Sequence, residues 1–152
     1  MGKDWVSDLL KRRTQKLRDH ERQMQLSALA QSQAPDMFRR LCAQVQQDVS
    51  LYTQGTGNVL RCVFGNETCE VKYEKFPTFW MQISLANSGF PVIRTSKKSS
   101  SAEQSREEFT ILLIAKGQDE IYYRINSQDY PSEAEASEQL LAPLLEFIEA
   151  EC

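Results

Sequence analysis

The middle of the chain alternates between apolar and polar positions, whereas its two ends follow helical spacing. From Asn58 onward Leu60, Cys62 and Phe64 alternate with Arg61 and Val63, the period of two expected of a strand with one buried face. Gly65-Asn66 then reads as a two-residue hairpin turn. Centred there, the register sets Cys62 opposite Cys69, Leu60 opposite Val71 and Arg61 opposite Glu70, the last a favourable cross-strand charge pair. Phe79, Met81, Ile83 and Leu85 form one face of the following strand, with Trp80, Gln82 and Ser84 on the other. Asn87-Ser88-Gly89 turns the chain into Phe90 to Thr95, where Pro91 marks an edge or a strand start. Ser96 to Arg106 is polar and holds Lys97-Lys98-Ser99-Ser100-Ser101, so it reads as a mobile loop. Phe109 to Ala115 is nearly continuous in apolar residues, as in a strand covered on both faces. After a turn at Gly117-Gln118-Asp119, Ile121, Tyr123 and Ile125 alternate with Tyr122 and Arg124.

Both flanks read as helix. Residues 3 to 33 contain neither glycine nor proline and are rich in good helix formers. Their apolar positions are sparse: Trp5, Val6, Leu9, Leu10, Leu17, Met24 and Leu29. Leu10, Leu17 and Met24 recur every seventh residue, but Arg13 and His20 occupy the intervening seam positions, which makes a poor coiled coil. The segment reads as a long helix that touches something only at intervals. Pro35 then marks a second helix start, followed by one apolar stripe of Phe38, Leu41, Cys42, Val45, Val49 and Tyr52 that Gly55 and Gly57 end. At the other end Ser132-Glu133-Ala134-Glu135 fits a capping box. Leu140, Leu141, Leu144, Leu145, Phe147 and Ile148 give that last helix a broad apolar face, with Pro143 expected to kink it or delay its regular start.

These elements predict an α+β fold. An antiparallel meander of about six strands is preceded by two helices, one long and basic, and followed by an acidic C-terminal helix. The chain is expected to form one domain over 1–152, with a helical segment 1–54 packed on a sheet at 58–126 and a closing helix at 131–150. The sheet's buried face would carry Leu60, Phe64, Val71, Tyr73, Met81, Ile83, Leu85, Phe109, Ile111, Leu113, Ile121, Tyr123 and Ile125.

Charge and cysteine content narrow the possible functions. The 152 residues carry a net charge of −3, so no global positive field draws in nucleic acid. Met1 to Arg22 nevertheless holds seven bases against four acids, and Asp129 to Cys152 holds seven acids and no base. Oppositely charged ends of this kind attract each other within one chain or between two. Cys42, Cys62, Cys69 and Cys152 form no CxxC pair and His20 is the sole histidine, a set unsuited to zinc. Cys62 and Cys69, if paired, could form a switchable disulfide, although packing thiols are the simpler reading. No apolar leader or membrane-length run occurs, which points to the cytoplasm and reduced thiols.

No GxSxG, HExxH or phosphate-loop pattern is present, and the Ser/Thr-x-x-Lys string at Thr95-Ser96-Lys97-Lys98 falls in the polar loop instead of opening a helix. No catalytic residue, metal ligand or cofactor follows from the sequence. In size and charge the chain is similar to small acidic α+β dimers such as type III secretion chaperones, a likeness that no motif carries.

The more informative feature is the second face of the sheet, where Trp80, Leu112, Ile114 and Tyr122 fall together. Either the first helix covers it through Trp5, Leu9, Leu10 and Leu17, or it binds a partner. The sequence therefore points to a non-enzymatic, adaptor- or chaperone-like protein-interaction domain. Its expected contact residues are Trp5, Trp80, Leu112, Ile114 and Tyr122, and its partner another protein or a second copy, with nucleic acid and membrane disfavoured. The alternative is a binder of small apolar ligands, with a pocket between sheet and helices lined by Tyr73, Phe79, Met81 and Tyr123.

Overall fold

The computed structural model describes every residue except 1, 66, 76–77, 87–90, 101–103, 117–119 and 152, and describes only the backbone at 2–3, 99–100, 104–106 and 151. The turns expected at Asn87-Ser88-Gly89 and Gly117-Gln118-Asp119, and the thiol of Cys152, lie outside the described residues. One helix, α1 (Gly2–Thr56), leads into seven strands: β1 (Arg61–Phe64), β2 (Thr68–Tyr73), β3 (Thr78–Ala86), β4 (Val92–Ser100), β5 (Gln104–Ala115), β6 (Ile121–Ile125) and β7 (Gln128–Tyr130). A closing helix, α2 (Glu133–Glu151), follows. The strands form one antiparallel sheet in chain order, a meander in which each strand pairs with the next.

Both helices lie on one face of the sheet. Arg40 Nε meets Glu133 Oε1 at 3.2 Å, the Ser137 hydroxyl donates to Asp48 Oδ2 at 2.7 Å, and the Tyr52 hydroxyl donates to Glu149 Oε1 at 2.6 Å. These contacts ascend together along both helices, so α1 and α2 run parallel. Beneath them Leu41, Val45, Val71, Met81, Ile83, Ile93, Ile111, Leu140 and Ile148 are fully buried in a continuous core. The Tyr123 hydroxyl donates to the Met37 carbonyl at 2.8 Å and ties β6 to α1. Burial, followed by the nearby charge of Glu133, raises its pKa above the ordinary tyrosine value.

Several sequence expectations are corrected. The two N-terminal helices are one, 55 residues long, that runs through Pro35. Pro35 is exposed while Ala34, Met37 and Phe38 are buried, so the missing amide and the ring fall on the solvent side. Pro143 is likewise exposed inside a continuous α2. That helix begins as expected, with the Glu135 amide donating to the Ser132 hydroxyl at 3.3 Å. At the other junction, Gly57 adopts φ +76° and its amide returns to the Thr53 carbonyl at 2.9 Å, ending α1 in a left-handed cap.

The first hairpin is in a different register. The Gly65 amide donates to the Thr68 carbonyl at 2.9 Å, so Gly65 and Thr68 close the hairpin and its tip falls one residue later than expected. A side chain at Gly65 would place its Cβ 2.4 Å from Thr68 Oγ1, which explains the glycine. Moving the tip by one residue shifts the pairing by two, so each residue keeps its face but changes its partner. Arg61 therefore faces Lys72 instead of Glu70, and meets Glu74 at 3.2 Å. Cys62 faces Val71, and Cys69 faces Phe64 and Ile83. Phe64 was expected in the core, but it ends the edge strand β1 and is 42% exposed.

Ser96 to Arg106 is no loop up to its tip. β4 and β5 continue through it, with Ser96 opposite Glu108, Lys97 opposite Glu107 and Lys98 opposite Arg106. Backbone pairing sustains this extension although its side chains are polar. A seventh strand also appears, because Asn126 and Ser127 have φ of 51° and 68° and turn the chain tightly back as β7. Finally, β5 is covered on one face only: Leu113 is buried while Leu112 on the other side is 36% exposed.

Candidate functional site

The long helix is anchored over about half of its length. From Ala30 to Tyr52 its apolar stripe faces the sheet and α2, whereas every side chain from Asp4 to Gln25 is exposed. That N-terminal arm does not cover the outer face of the sheet. Trp5, Leu9, Leu10, Leu17 and Met24 are each 55–63% exposed, and Val6 is 39% exposed. The covering role considered for Trp5, Leu9, Leu10 and Leu17 is thus overturned. The reason is geometric: Pro35 does not break the helix, so residues N-terminal to the anchored half continue along its axis past the sheet. Large apolar side chains held together on one exposed stripe are the usual mark of an interaction surface.

Where the arm leaves the body a groove opens, with a volume of about 790 Å³. His20, Met24 and Ser27 line it from the helix, and Pro91, Leu113, Ile114 and Ala115 from the sheet. Pro91 is fully buried just before β4, at the strand start that its missing amide favours. The groove is mainly apolar because it lies at the end of β5, where the helix no longer presses on the strand. His20 is an exposed residue at its rim.

The outer-face residues fall into two groups. Ile114 pairs directly with Tyr122, and Leu112 lies two residues away on the same face. These three adjoin the groove through Ile114. The ammonium of Lys116 stands 4.9 Å from the Tyr122 ring centroid. Trp80 lies elsewhere, in the row of Lys98 and Arg106, while Leu112 lies in the row of Val92 and Ala86. Six residues of strand, about 20 Å, separate the rows. Trp80 is half-buried, donates from Nε1 to Glu70 Oε1 at 2.9 Å and lies 5.1 Å beneath the Lys98 ammonium. The expected single patch is therefore split, with Trp80 satisfied by its own neighbours and Trp5 out on the arm.

Tyr73, Phe79, Met81 and Tyr123, the expected pocket residues, are each 3% exposed or less and belong to the continuous core. Cys42 and Cys69 are also buried there. Burial pushes the Cys62 thiol up to about 11, and contact with the Cys42 thiol, followed by burial, raises that of Cys69. These thiols suit packing, and the register that would have set Cys62 directly opposite Cys69 is absent. Lys97, assigned above to a loop, is buried on the inner face with its ammonium 5.1 Å from the Phe109 ring centroid. Desolvation lowers its pKa, and Glu107 opposes that shift. Among the described residues no group of three or more His, Cys, Asp or Glu side chains could hold a metal ion, and no helix is long and apolar enough to cross a membrane.

Leu9, Met24 and the groove were absent from the expected contact set. The signal in the sequence is the seven-residue spacing of Leu10, Leu17 and Met24, which Arg13 and His20 interrupt. No family model, curated protein or solved structure matches the chain.

Proposed function

We propose that this chain is a non-enzymatic protein-association module whose contact element is the projecting arm of α1, supported by the groove at its root and by Leu112, Ile114 and Tyr122. One observation carries the reading: six large apolar side chains, Trp5, Val6, Leu9, Leu10, Leu17 and Met24, stand exposed along the stretch of α1 from Asp4 to Gln25, where every side chain is exposed. Leaving them in water costs free energy at every position, roughly 25 cal/mol per Å² of apolar area. A folded partner that covers them recovers that energy, and the preformed helix limits the ordering cost of binding.

The test is a triple substitution, Trp5→Ser with Leu9→Ser and Leu10→Ser, in the full chain. Its urea midpoint should match that of the wild type, because these side chains do not touch the body. The tagged wild type, purified from native cells, should carry a bound protein or a second copy, identified by mass spectrometry and light scattering, that the variant loses. A wild type that associates with nothing, itself included, refutes the proposal.

A further inference from the structure

The geometry points to a second copy of this chain as the occupant of the arm, in a two-fold arrangement where the arms run antiparallel and each tip seats in the partner's groove. The inference rests on the association reading above and identifies its partner.

Length supplies the first argument. Trp5 and Met24 lie about 28 Å apart along the helix axis, so two antiparallel arms centred near residue 15 bring each Trp5 level with residue 25 of its twin. That is where the groove between Met24 and Ile114 begins. The arm thus carries both halves of an interface that repeats on itself, as a two-fold contact requires.

Polar interruptions set the direction. The stripe reads Val6, Leu10, Arg13, Leu17, His20, Met24 at alternating spacings of four and three. A parallel pair would stack Arg13 on Arg13 and His20 on His20, like against like. In the antiparallel register Val6 meets Met24, Leu10 meets His20, and Arg13 meets Leu17. Each polar residue then lies across from an aliphatic one, its head free to turn to water while its stem packs. The two-fold centre falls at Gln15, an uncharged residue, and Lys16 lies level with Thr14.

Charge and area agree with this. The arm through Arg22 holds seven bases and four acids, and the remaining chain eleven bases and seventeen acids. A body of net −6 repels an anionic bilayer or a nucleic acid, which disfavours both as occupants of the arm. Covering the six apolar side chains removes on the order of 600 Å² per copy, and with the stems of Arg13 and Lys16 this approaches the ~800 Å² per partner of a stable interface.

The experiment uses the full chain with Cys152→Ser. Sedimentation across a dilution series should give twice the 17.5 kDa of one chain. Trp5→Ala with Leu9→Ala on the arm, and separately Ile114→Glu in the groove, should each weaken dimerisation on the order of tenfold or more while leaving the circular dichroism unchanged. Orientation is read by oxidation: Val6→Cys mixed with Met24→Cys should form a cross-linked heterodimer, and Arg13→Cys alone should not cross-link. A dimer in which Arg13→Cys cross-links overturns the antiparallel arrangement. A wild-type monomer that binds phosphatidylcholine–phosphatidylserine vesicles, or that retains another protein lost by the Ser triple variant, overturns the second copy as occupant. In the latter case the association reading survives, whereas a monomer that binds nothing removes both.

Discussion

Pro35 is the position where sequence rules and the folded chain disagree most, so replacing it with alanine is the sharpest test of the long helix. In the structure Pro35 sits inside α1, a full turn before Phe38 and on the solvent side. It supplies no amide to the main-chain ladder, and its ring crowds the preceding turn. On host–guest scales proline in a helix interior is about 3 kcal/mol worse than alanine. Local bending relieves part of that, so Pro35→Ala should stabilise the protein by about 1–3 kcal/mol. The substituted side chain is exposed, and no packing loss offsets the gain. With a urea dependence of about 2 kcal/mol per molar for a chain of this size, the midpoint should rise by roughly 0.5–1.5 M at unchanged slope. Urea titration followed by circular dichroism at helical wavelengths reads the shift. Were Pro35 the first-turn residue of a separate helix, its fixed φ would favour the native state, and alanine would leave the midpoint unchanged or lower it. Either of those outcomes refutes the continuous helix, and with it the direction of the arm.

Two further predictions concern titration and reactivity. Asp129 accepts from Arg124 Nε at 2.6 Å and also meets Lys116, and these partners, Arg124 first, hold its carboxyl well below the usual carboxylate range. A depressed folded-state pKa contributes stability that is present above pH ~4 and lost as the pH falls further, so Asp129→Asn should flatten the fall in urea midpoint between about pH 4 and 2; an unchanged slope contradicts the assignment. At pH 8 only about one in a thousand Cys62 thiols is ionised, given its raised pKa. Iodoacetamide should therefore leave Cys62 unlabelled by mass spectrometry in the native chain, as burial alone should leave Cys42 and Cys69, and should modify all three in urea; rapid native labelling of Cys62 would count against its burial.

The alternation that assigned faces to residues 58–125 was reliable because it depends only on parity. The first hairpin shows this: its pairing moved by two residues, yet Cys62, Cys69 and Val71 kept the core side. What parity cannot supply is which residue meets which, since that depends on the hairpin tip. There the approach of Thr68 to Gly65 decides, and neither residue announces it. The extension of β4 and β5 escaped notice for a related reason. Lys97, Ser99, Ser105 and Glu107 look like loop residues because propensity counts side chains, whereas a two-stranded ladder is held by main-chain bonds that any of them can make.

The candidate site was legible in its residue types and illegible in its geometry. Trp5 could be singled out as an apolar residue among charges, but whether it faced the sheet or water turned on whether the chain bends at Pro35. Helix nucleation is unfavourable and propagation nearly neutral, so a free 24-residue segment of this composition would be marginal in water. Here it needs no nucleus of its own. Residues 30 to 52 are fixed as helix by the buried contacts of Leu41, Val45 and Val49, and the arm grows from that anchored end one hydrogen bond at a time. The exposed segment is therefore helical without being held by tertiary contacts. A partner that covers its stripe meets an ordered surface, while the arm's own contribution to the stability of the body stays near zero.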